Sequence, residues 1–373
     1  MPDQNPRRIL LAVSGMSPQI ITETLYGLLH RKDASWLPDE IHLITTSGGR
    51  EQVRLQLLGE QGHFTRFLQD FKISAPIRFD LSTIHVITDN QGQILPDLRT
   101  PQDNEAAADF ITEKIREMTS QSNSELHVSL AGGRKTMGFY IGYALSLFGR
   151  AQDRLSHVLV SAEYESLSEF YYPTPETRTI ATRSDPNKKL DAALAEVFLA
   201  EIPFVRLRGF LPDGALVNRA RFSELVKVVS TLTDDPTLVV IPRKQELRIG
   251  HISIHLPPRE LALYLVFMKA IKAGKSTISM PKKENLQLGN AFLTELQSIK
   301  GEMGDTEITT TTLEKGMTRE YFDSIKSRLN KSLEKMLGKQ GCKQYQLQNK
   351  GRGSAEFWLS IPSEKIIIEE FGK

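Results

Sequence analysis

The sequence predicts an α/β chain: a doubly wound, mostly parallel sheet followed by a separate α+β region. Three observations predict it. Short apolar runs alternate with helix-length segments from Arg8 to Ser161, the order that parallel strands and their crossover helices impose. Three of the strand-like runs end in small polar turns, Ser14–Gln19, Thr46–Gly49 and Gly132–Met137, and open α/β sheets bind ligands at that carboxyl edge. From about Pro236 onward the alternation gives way to short strands, apolar helices and a basic amphipathic helix.

Taken in order, Arg8–Val13 (RILLAV) predicts a buried strand, and Ser14-Gly15-Met16-Ser17-Pro18-Gln19 a turn. Ile20, Ile21, Leu25, Leu28 and Leu29 then recur at helical spacing up to His30. Ser17 before Pro18 has the form of a helix cap with proline in the first turn. Glu40–Thr45 predicts the second strand, Glu51–Phe71 a helix, and Thr83–Ile87 the third strand. A polar loop with Asp89, Asn90 and Asp97 leads to a helix over Asn104–Thr119. Leu126–Leu130 and Arg154–Ser161 complete the predicted strands.

Between the last two lies the most informative stretch, LHVSLAGGRKTMGFYIGYALSLFG (126–149). A strand, the turn Ala131–Met137 and a helix over Phe139–Phe148 follow one another. Two glycines allow close backbone approach, and the helix N-terminus behind them favours an anion. Arg134 and Lys135 add two cations, so a phosphate-bearing ligand is expected. The spacing is neither that of a P-loop nor of G-x-G-x-x-G. The plainer alternative is a tight turn with two solvated cations. His42, His85, His127 and His157 fall near the starts of predicted strands, away from these turns, and are expected to be hydrogen-bonded sheet residues without a metal.

Tyr171–Lys189 is rich in Pro, Thr and charge and predicts a boundary. The expected organisation is a ligand-binding domain over 1–182, a helical connector over 183–235 with helices at Leu190–Leu199 and Arg219–Leu232, and a C-terminal domain over 236–373. In the last, Thr237–Ile241 and Arg248–His255 predict strands, Pro257–Ala273 a helix and Lys283–Ile299 another. Phe322, Ile325, Leu329, Leu333 and Leu337 form an apolar stripe on a helix over Thr318–Leu337. Lys326, Arg328, Lys331 and Lys335 lie mainly off it. Lys343–Gln348 and Ala355–Ile361 predict two strands around a tip containing Lys350 and Arg352. This is a winged helix-turn-helix order, with those six cations as candidate DNA contacts or, alternatively, a solvated face.

Bulk properties agree. Residues 241–373 hold 22 Lys+Arg against 15 Asp+Glu, whereas the preceding 240 hold 25 against 30. A basic C-terminal third hints at a nucleic-acid face. One cysteine, Cys342, excludes a disulfide framework and a cysteine metal site. No apolar run reaches membrane-spanning length and MPDQNPRR lacks signal-peptide character, so a cytoplasmic protein with no membrane association is expected.

The early SGMSPQ turn paired with the late AGGRKTM turn resembles the CARF family, the CRISPR-associated Rossmann-fold sensors, and within it the CRISPR-associated ring nucleases. The resemblance covers residues 5–170 well, and the C-terminal order agrees with CARF–winged-helix architectures. The family often has Thr where Arg134 stands, which leaves open which of Arg134 and Lys135 faces the ligand. The resemblance implies a Rossmann-like domain, a homodimer, and a cyclic oligoadenylate, most often cyclic tetra-adenylate, bound across the two-fold axis. It further implies cleavage without metal or cofactor, by attack of a ribose 2′-hydroxyl on the adjacent phosphate, leaving linear products with 2′,3′-cyclic phosphate ends. Carried over by position, Lys135 would stabilise the phosphate beside Arg134, and Ser14 would position the ribose or phosphate. Gly15, Met16, Ser17, Gln19, Thr46, Ser47, Gly48, Gly132, Gly133, Thr136 and Met137 would bind the ligand. Slow turnover is expected, since no histidine is placed as a general base.

Three other readings follow. A ligand-gated transcription regulator would bind the same ligand without cutting it. A ribonuclease reading rests on Arg248 and His255, but RIGHISIH alternates and reads as strand. A nucleotide enzyme unrelated to CRISPR would need a phosphate motif that the chain lacks.

Overall fold

The computed structural model describes residues 6–165, 167–182, 189–234, 236–280, 283–301, 307–351 and 354–369. Two compact units are present: Met1–Arg206 with Ala220–Phe222, and Leu207–Arg219 with Ser223–Lys373.

The first unit is built on β1 (Arg7–Val13), β2 (Glu40–Thr45), β3 (Ile84–Val86), β4 (Ser124–Ser129) and β5 (Arg154–Val160), all parallel. Its helices are α1 (Ile20–Leu29), α2 (Ser47–Gln56), α3 (His63–Asp70), α4 (Pro101–Ser120) and α5 (Lys135–Phe148). A short hairpin, β6 (Thr179–Ala181) with β7 (Lys189–Asp191), precedes β8 (Val197–Glu201), which joins the sheet antiparallel to β5. Strand order is β3-β2-β1-β4-β5-β8. The winding therefore reverses between β1 and β4, and the crevice outside that reversal is where such sheets hold ligands.

The central strands explain their own apolar continuity. Ile9 to Val13 are all buried, as expected of a parallel strand covered on both faces. Leu10 and Ala12 share a core with Ile21, Leu25 and Leu28 of α1, Val53 of α2 and Phe64 and Phe67 of α3. Helices α4 and α5 pack on each other and against β4. This is the mostly parallel, Rossmann-like sheet that the sequence predicts.

Several expected elements differ. Helix α1 starts at Ile20 with Gln19 as its N-cap residue, and no side chain caps it, so Ser17 does not play that part. The predicted helix over Glu51–Phe71 is two helices. Gly59 has φ +89° between them, and a Cβ on Gly62 would lie 2.1 Å from the Leu57 carbonyl oxygen. The turn expected at Thr46–Gly49 is the start of α2, with Thr46 as its cap. Leu190–Leu199, predicted as a helix, runs through β7 and into β8. The sheet therefore draws in residues of the expected 183–235 connector, and the first unit continues to Arg206. A half-exposed strand with five residues and no clear period-2 pattern (VFLAE) carries little local strand signal.

In the second unit, α6 (Asp213–Val217) and α7 (Phe222–Thr233, all but its first residue in this unit) precede β9 (Leu238–Ile241), β10 (Glu246–Ile249) and β11 (Ile252–His255). The expected strand Arg248–His255 is thus a tight hairpin turning at Gly250 (φ +53°). Helix α8 (Pro258–Lys272), β12 (Ile278–Ser279), α9 (Leu286–Lys300), α10 (Glu307–Thr312) and α11 (Arg319–Gly341) follow. Then come β13 (Gln348–Asn349), β14 (Glu356–Trp358) and β15 (Ile366–Ile368). Strand β15 lies parallel to β9, and β12, β14 and β13 form an antiparallel sheet in that order. Thr318 caps α11, and Phe322, Ile325, Leu329, Leu333 and Leu337 are fully buried along its inner face. Lys343–Gln346, expected as strand, are turns closed by Cys342. Among the described residues no helix is long and apolar enough to cross a membrane.

Candidate functional site

Two of the three polar turns flank the sheet reversal, one after β1 and one after β4. They touch through backbone: a Cβ on Gly15 would lie 3.6 Å from the Gly133 Cα. The start of α2 closes in from the other side. A Cβ on Gly49 would meet the Gly15 carbonyl at 2.6 Å and the Thr45 hydroxyl at 2.0 Å, so only glycine fits.

Ser14 is buried. Its Oγ donates toward the carbonyls of Ser17 (3.2 Å) and Gly15 (3.3 Å), while its own carbonyl accepts from Thr45 Oγ1 at 2.7 Å. The hydroxyl therefore organises the turn and does not face solvent, contrary to its expected place on the ligand. Thr46 is likewise buried and spent on the cap, its Oγ1 accepting from Gly49 N. Ser47 and Gly48 form the first turn of α2; the Ser47 N–H donates to the Leu95 carbonyl at 3.1 Å and the Gly49 N–H to Thr46, so the Gly48 N–H is the one in this turn that remains for an anion. Met16 is 60 % exposed, with its Sδ against Gly48. Ser17 is exposed beside it.

The β4 turn owes its shape to Gly132 (φ +98°) and Gly133 (φ +74°). Helix α5 begins at Lys135 with Arg134 as its N-cap residue. Arg134 is held by Asp97, its Nε 3.2 Å from Oδ1 and its Nη2 2.5 Å from Oδ2. Hydrogen bonds from Arg134, then Arg99 and the Leu98 amide, hold the Asp97 carboxyl well below the usual carboxylate range. Lys135 is exposed at the helix N-terminus. Thr136 Oγ1 donates to Asn104 Oδ1 on α4 at 2.7 Å. Met137, expected to bind the ligand, is buried with its Sδ packed under Gly133 and belongs to the core.

A cavity of about 600 Å³ adjoins Gly132. Met16, Ser17 and Gln19 line it, together with Glu23, His157 and Tyr164. Sequence reasoning missed Glu23, although it stands one helical turn beyond Gln19. His157 belongs to this cavity and not to the amino edge, because β5 starts at Arg154 and brings His157 to mid-strand. The other histidines make sheet contacts. His42 Nδ1 meets His85 Nε2 at 2.9 Å, its Nε2 meets Glu40 at 2.9 Å, and buried His127 meets Ser156 Oγ at 2.7 Å. Burial pushes His85 down to about 4 and His127 to about 3. Among the described residues no group of three or more His, Cys, Asp or Glu is arranged to hold a metal.

A family model described as CRISPR-associated protein NE0113 matches residues 17–233, more than half of the chain. The chain belongs to that family. It is thus a CRISPR-associated protein whose first unit has a Rossmann-like sheet, in keeping with the CARF resemblance. The NE0113-family match spans the β4 turn, α5 and the cavity lining other than Met16. Among solved structures, Enterococcus italicus Csm6 bound to cyclic hexa-2′-fluoro-hexa-dAMP is 12% identical, with a TM-score of 0.28, over 89% of this chain and 58% of its own. Protein VC1899 from Vibrio cholerae is 8% identical, with a TM-score of 0.25, over 95% of this chain and 77% of its own. This NE0113-family chain therefore spans little more than half the length of the Csm6 structure. No curated protein matches it significantly in sequence.

The six expected nucleic-acid contacts separate into groups. Lys326 Nζ lies 2.9 Å from Asp323 and over the Phe357 ring, and Arg328 Nε lies 3.1 Å from the buried Glu260 carboxylate. These two are tied inside the unit. Lys331, Lys335 and Lys350 are exposed. Arg352 lies outside the described residues. Arg248 and His255 stand on a β-hairpin and not on a helix.

Proposed function

We propose that this protein binds a cyclic oligoadenylate, cyclic tetra-adenylate in the first instance, across a homodimer of its first unit and cleaves it without metal. The observation that carries this reading is the pair of turns at the sheet reversal. Gly15 and Gly133 bring two backbones together at the carboxyl edge, and Lys135 stands exposed at the N-terminus of α5. Backbone N–H groups at that helix start and the Gly48 N–H at the start of α2, with the Lys135 cation, suit a ring of phosphates. A two-fold dimer suits a ligand of two-fold symmetry.

The ligand carries its own nucleophile. A ribose 2′-oxygen attacks the adjacent phosphorus, the bond from phosphorus to the 5′-oxygen breaks, and the 2′ proton leaves as one is delivered to the 5′-oxygen. The products are linear with 2′,3′-cyclic phosphate ends. The protein must hold the 2′-oxygen in line and stabilise charge on the phosphoryl oxygens. Lys135 is assigned to that charge. Ser14 acts through the turn it holds, and Arg134 through Asp97.

Incubating the full chain with labelled cyclic tetra-adenylate and cyclic hexa-adenylate in EDTA tests the reading. Linear cyclic-phosphate products that disappear in Lys135→Ala support it. Binding without cleavage sinks the enzyme and leaves a sensor.

A second reading is favoured by one observation. Helix α8, β12, α9, α11, β13 and β14 follow in winged-helix order, with the sheet order β12-β14-β13. On this reading the second unit binds DNA through Lys331, Lys335 and Lys350, and the protein is a ligand-responsive regulator. Salt-dependent binding to duplex DNA would reveal it.

A further inference from the structure

The turns leave one polar pair of the cavity without a role. Gln19 and Glu23 are four residues apart at the start of α1 and so share a helix face; both line the cavity beside Gly132. Gln19 Nε2 donates to the Ser168 carbonyl at 3.3 Å, which leaves its Oε1, a buried acceptor with no hydrogen-bond partner. Burial raises the Glu23 carboxyl to about 7. A buried acceptor without a donor costs stability unless something fills the need.

The surrounding ionisable groups are His157 on β5 and Tyr164 and Glu165 just after it. Strand β8, packed on α1, ends at Glu201, which pairs with Arg31 and Arg154. Helix α3 brings Arg66, Asp70, which accepts from Tyr172, and His63, whose ring stacks on Tyr171. On α1 itself, Tyr26 lies beside His30.

A neutral carboxyl is a donor, whereas a carboxylate only accepts. Beside an acceptor amide oxygen, a protonated Glu23 completes an acceptor–donor pair. The Watson–Crick edge of adenine offers the complement, an exocyclic N–H donor next to the N1 acceptor. Hypoxanthine reverses both. An anionic ligand in the same cavity also disfavours the charged carboxylate, which strengthens the preference for the protonated form.

We propose that Gln19 and Glu23 are the specificity pair for a 6-aminopurine of the ligand: Gln19 Oε1 accepts from the amino group, protonated Glu23 donates to N1, and binding takes up a proton. This rests on the cyclic oligoadenylate reading above.

The test is calorimetric binding of cyclic tetra-adenylate and its inosine analogue to the full chain between pH 6 and 8.5. Wild type should bind the adenine ring at least ~10-fold more weakly at pH 8.5 than at pH 6, and heats in two buffers of different ionisation enthalpy should report proton uptake. Glu23→Gln, which keeps a donor at every pH, should bind with little pH dependence. The inosine ring should bind wild type at least ~10-fold more weakly than the adenine ring. Tight wild-type binding with no pH dependence and no proton uptake overturns the pair while the functional reading stands. The same pH slope in Glu23→Gln does so too. Failure of wild type to bind any ring at any pH overturns the functional reading, and the pair with it.

Discussion

Arg134 and Asp97 face each other in a two-point ion pair that reaches from the start of α5 to the loop before α4. The pair separates two neighbouring cations that the sequence presents as equals. Arg134 is committed to a carboxylate, and Lys135 is left exposed at a helix N-terminus. Ring cleavage should therefore fall about 10²- to 10³-fold in Lys135→Ala and by about tenfold or less in Arg134→Ala. Single-turnover rates compare the two. Equal losses would mean that Arg134 leaves Asp97 when ligand binds.

Gly132 holds a left-handed backbone, and a Cβ there would lie 2.9 Å from the Val13 carbonyl. Gly132→Ala should cost about 1–2 kcal/mol or more, read from the urea midpoint. Ligand binding should weaken along with it, because the β4 turn sets the N-terminus of α5.

Acid should destabilise the first unit through its histidines. Burial lowers His127 to about 3 and His85 to about 4. The unfolded chain thus binds protons that the native chain refuses, and stability falls as pH drops from about 6.5 toward those values. For His127, 1 % exposed, the loss is on the order of 3 kcal/mol at pH 4. Melting temperatures of wild type and His127→Gln between pH 7 and 4 should converge in acid; parallel curves would refute the assignment.

In the second unit the cations of α11 should divide by role. Lys331→Ala with Lys335→Ala should weaken duplex DNA binding and flatten its dependence on salt by about two counterions. Arg328→Ala should instead lower stability by about 1 kcal/mol, since it strips the partner from the Glu260 carboxylate. Electrophoretic mobility shifts at several salt concentrations and thermal melts separate the effects.

Leu333→Ala should cost about 2–5 kcal/mol by opening a cavity in the core of the second unit. Urea denaturation measures it, and a loss below 1 kcal/mol would mean that α11 does not seat this face.

Much of the fold was legible because its signals are local. The run ILLAV of β1, the three- and four-residue apolar spacing on α11, and the glycines after β4 each declare an element without reference to distant residues. Strand β8 was not legible, because what holds it is distant in sequence: the open edge of β5 and the face of α1. The α2–α3 break was missed because Leu57 and Phe64, seven residues apart, keep the helical period across the polar stretch that holds Gly59 and Gly62. At the candidate site, residue types pointed to these turns but could not say which way side chains face. Ser14, Thr46 and Met137 turn inward, and Glu23 and His157 face the cavity from elements that had suggested no such role.

By itself the sequence determined which segments would be strand, turn and helix in the centre of the sheet, and that two polar turns carry the candidate chemistry. Periodicity and glycine conformation are properties of neighbouring residues. Only the tertiary structure decided that the two turns meet at the sheet reversal, that Asp97 takes Arg134, and that Gln19 and Glu23 share a cavity with His157. Those relationships join residues up to 138 positions apart in the sequence (Gln19 to His157), and only strand order and packing bring such residues together.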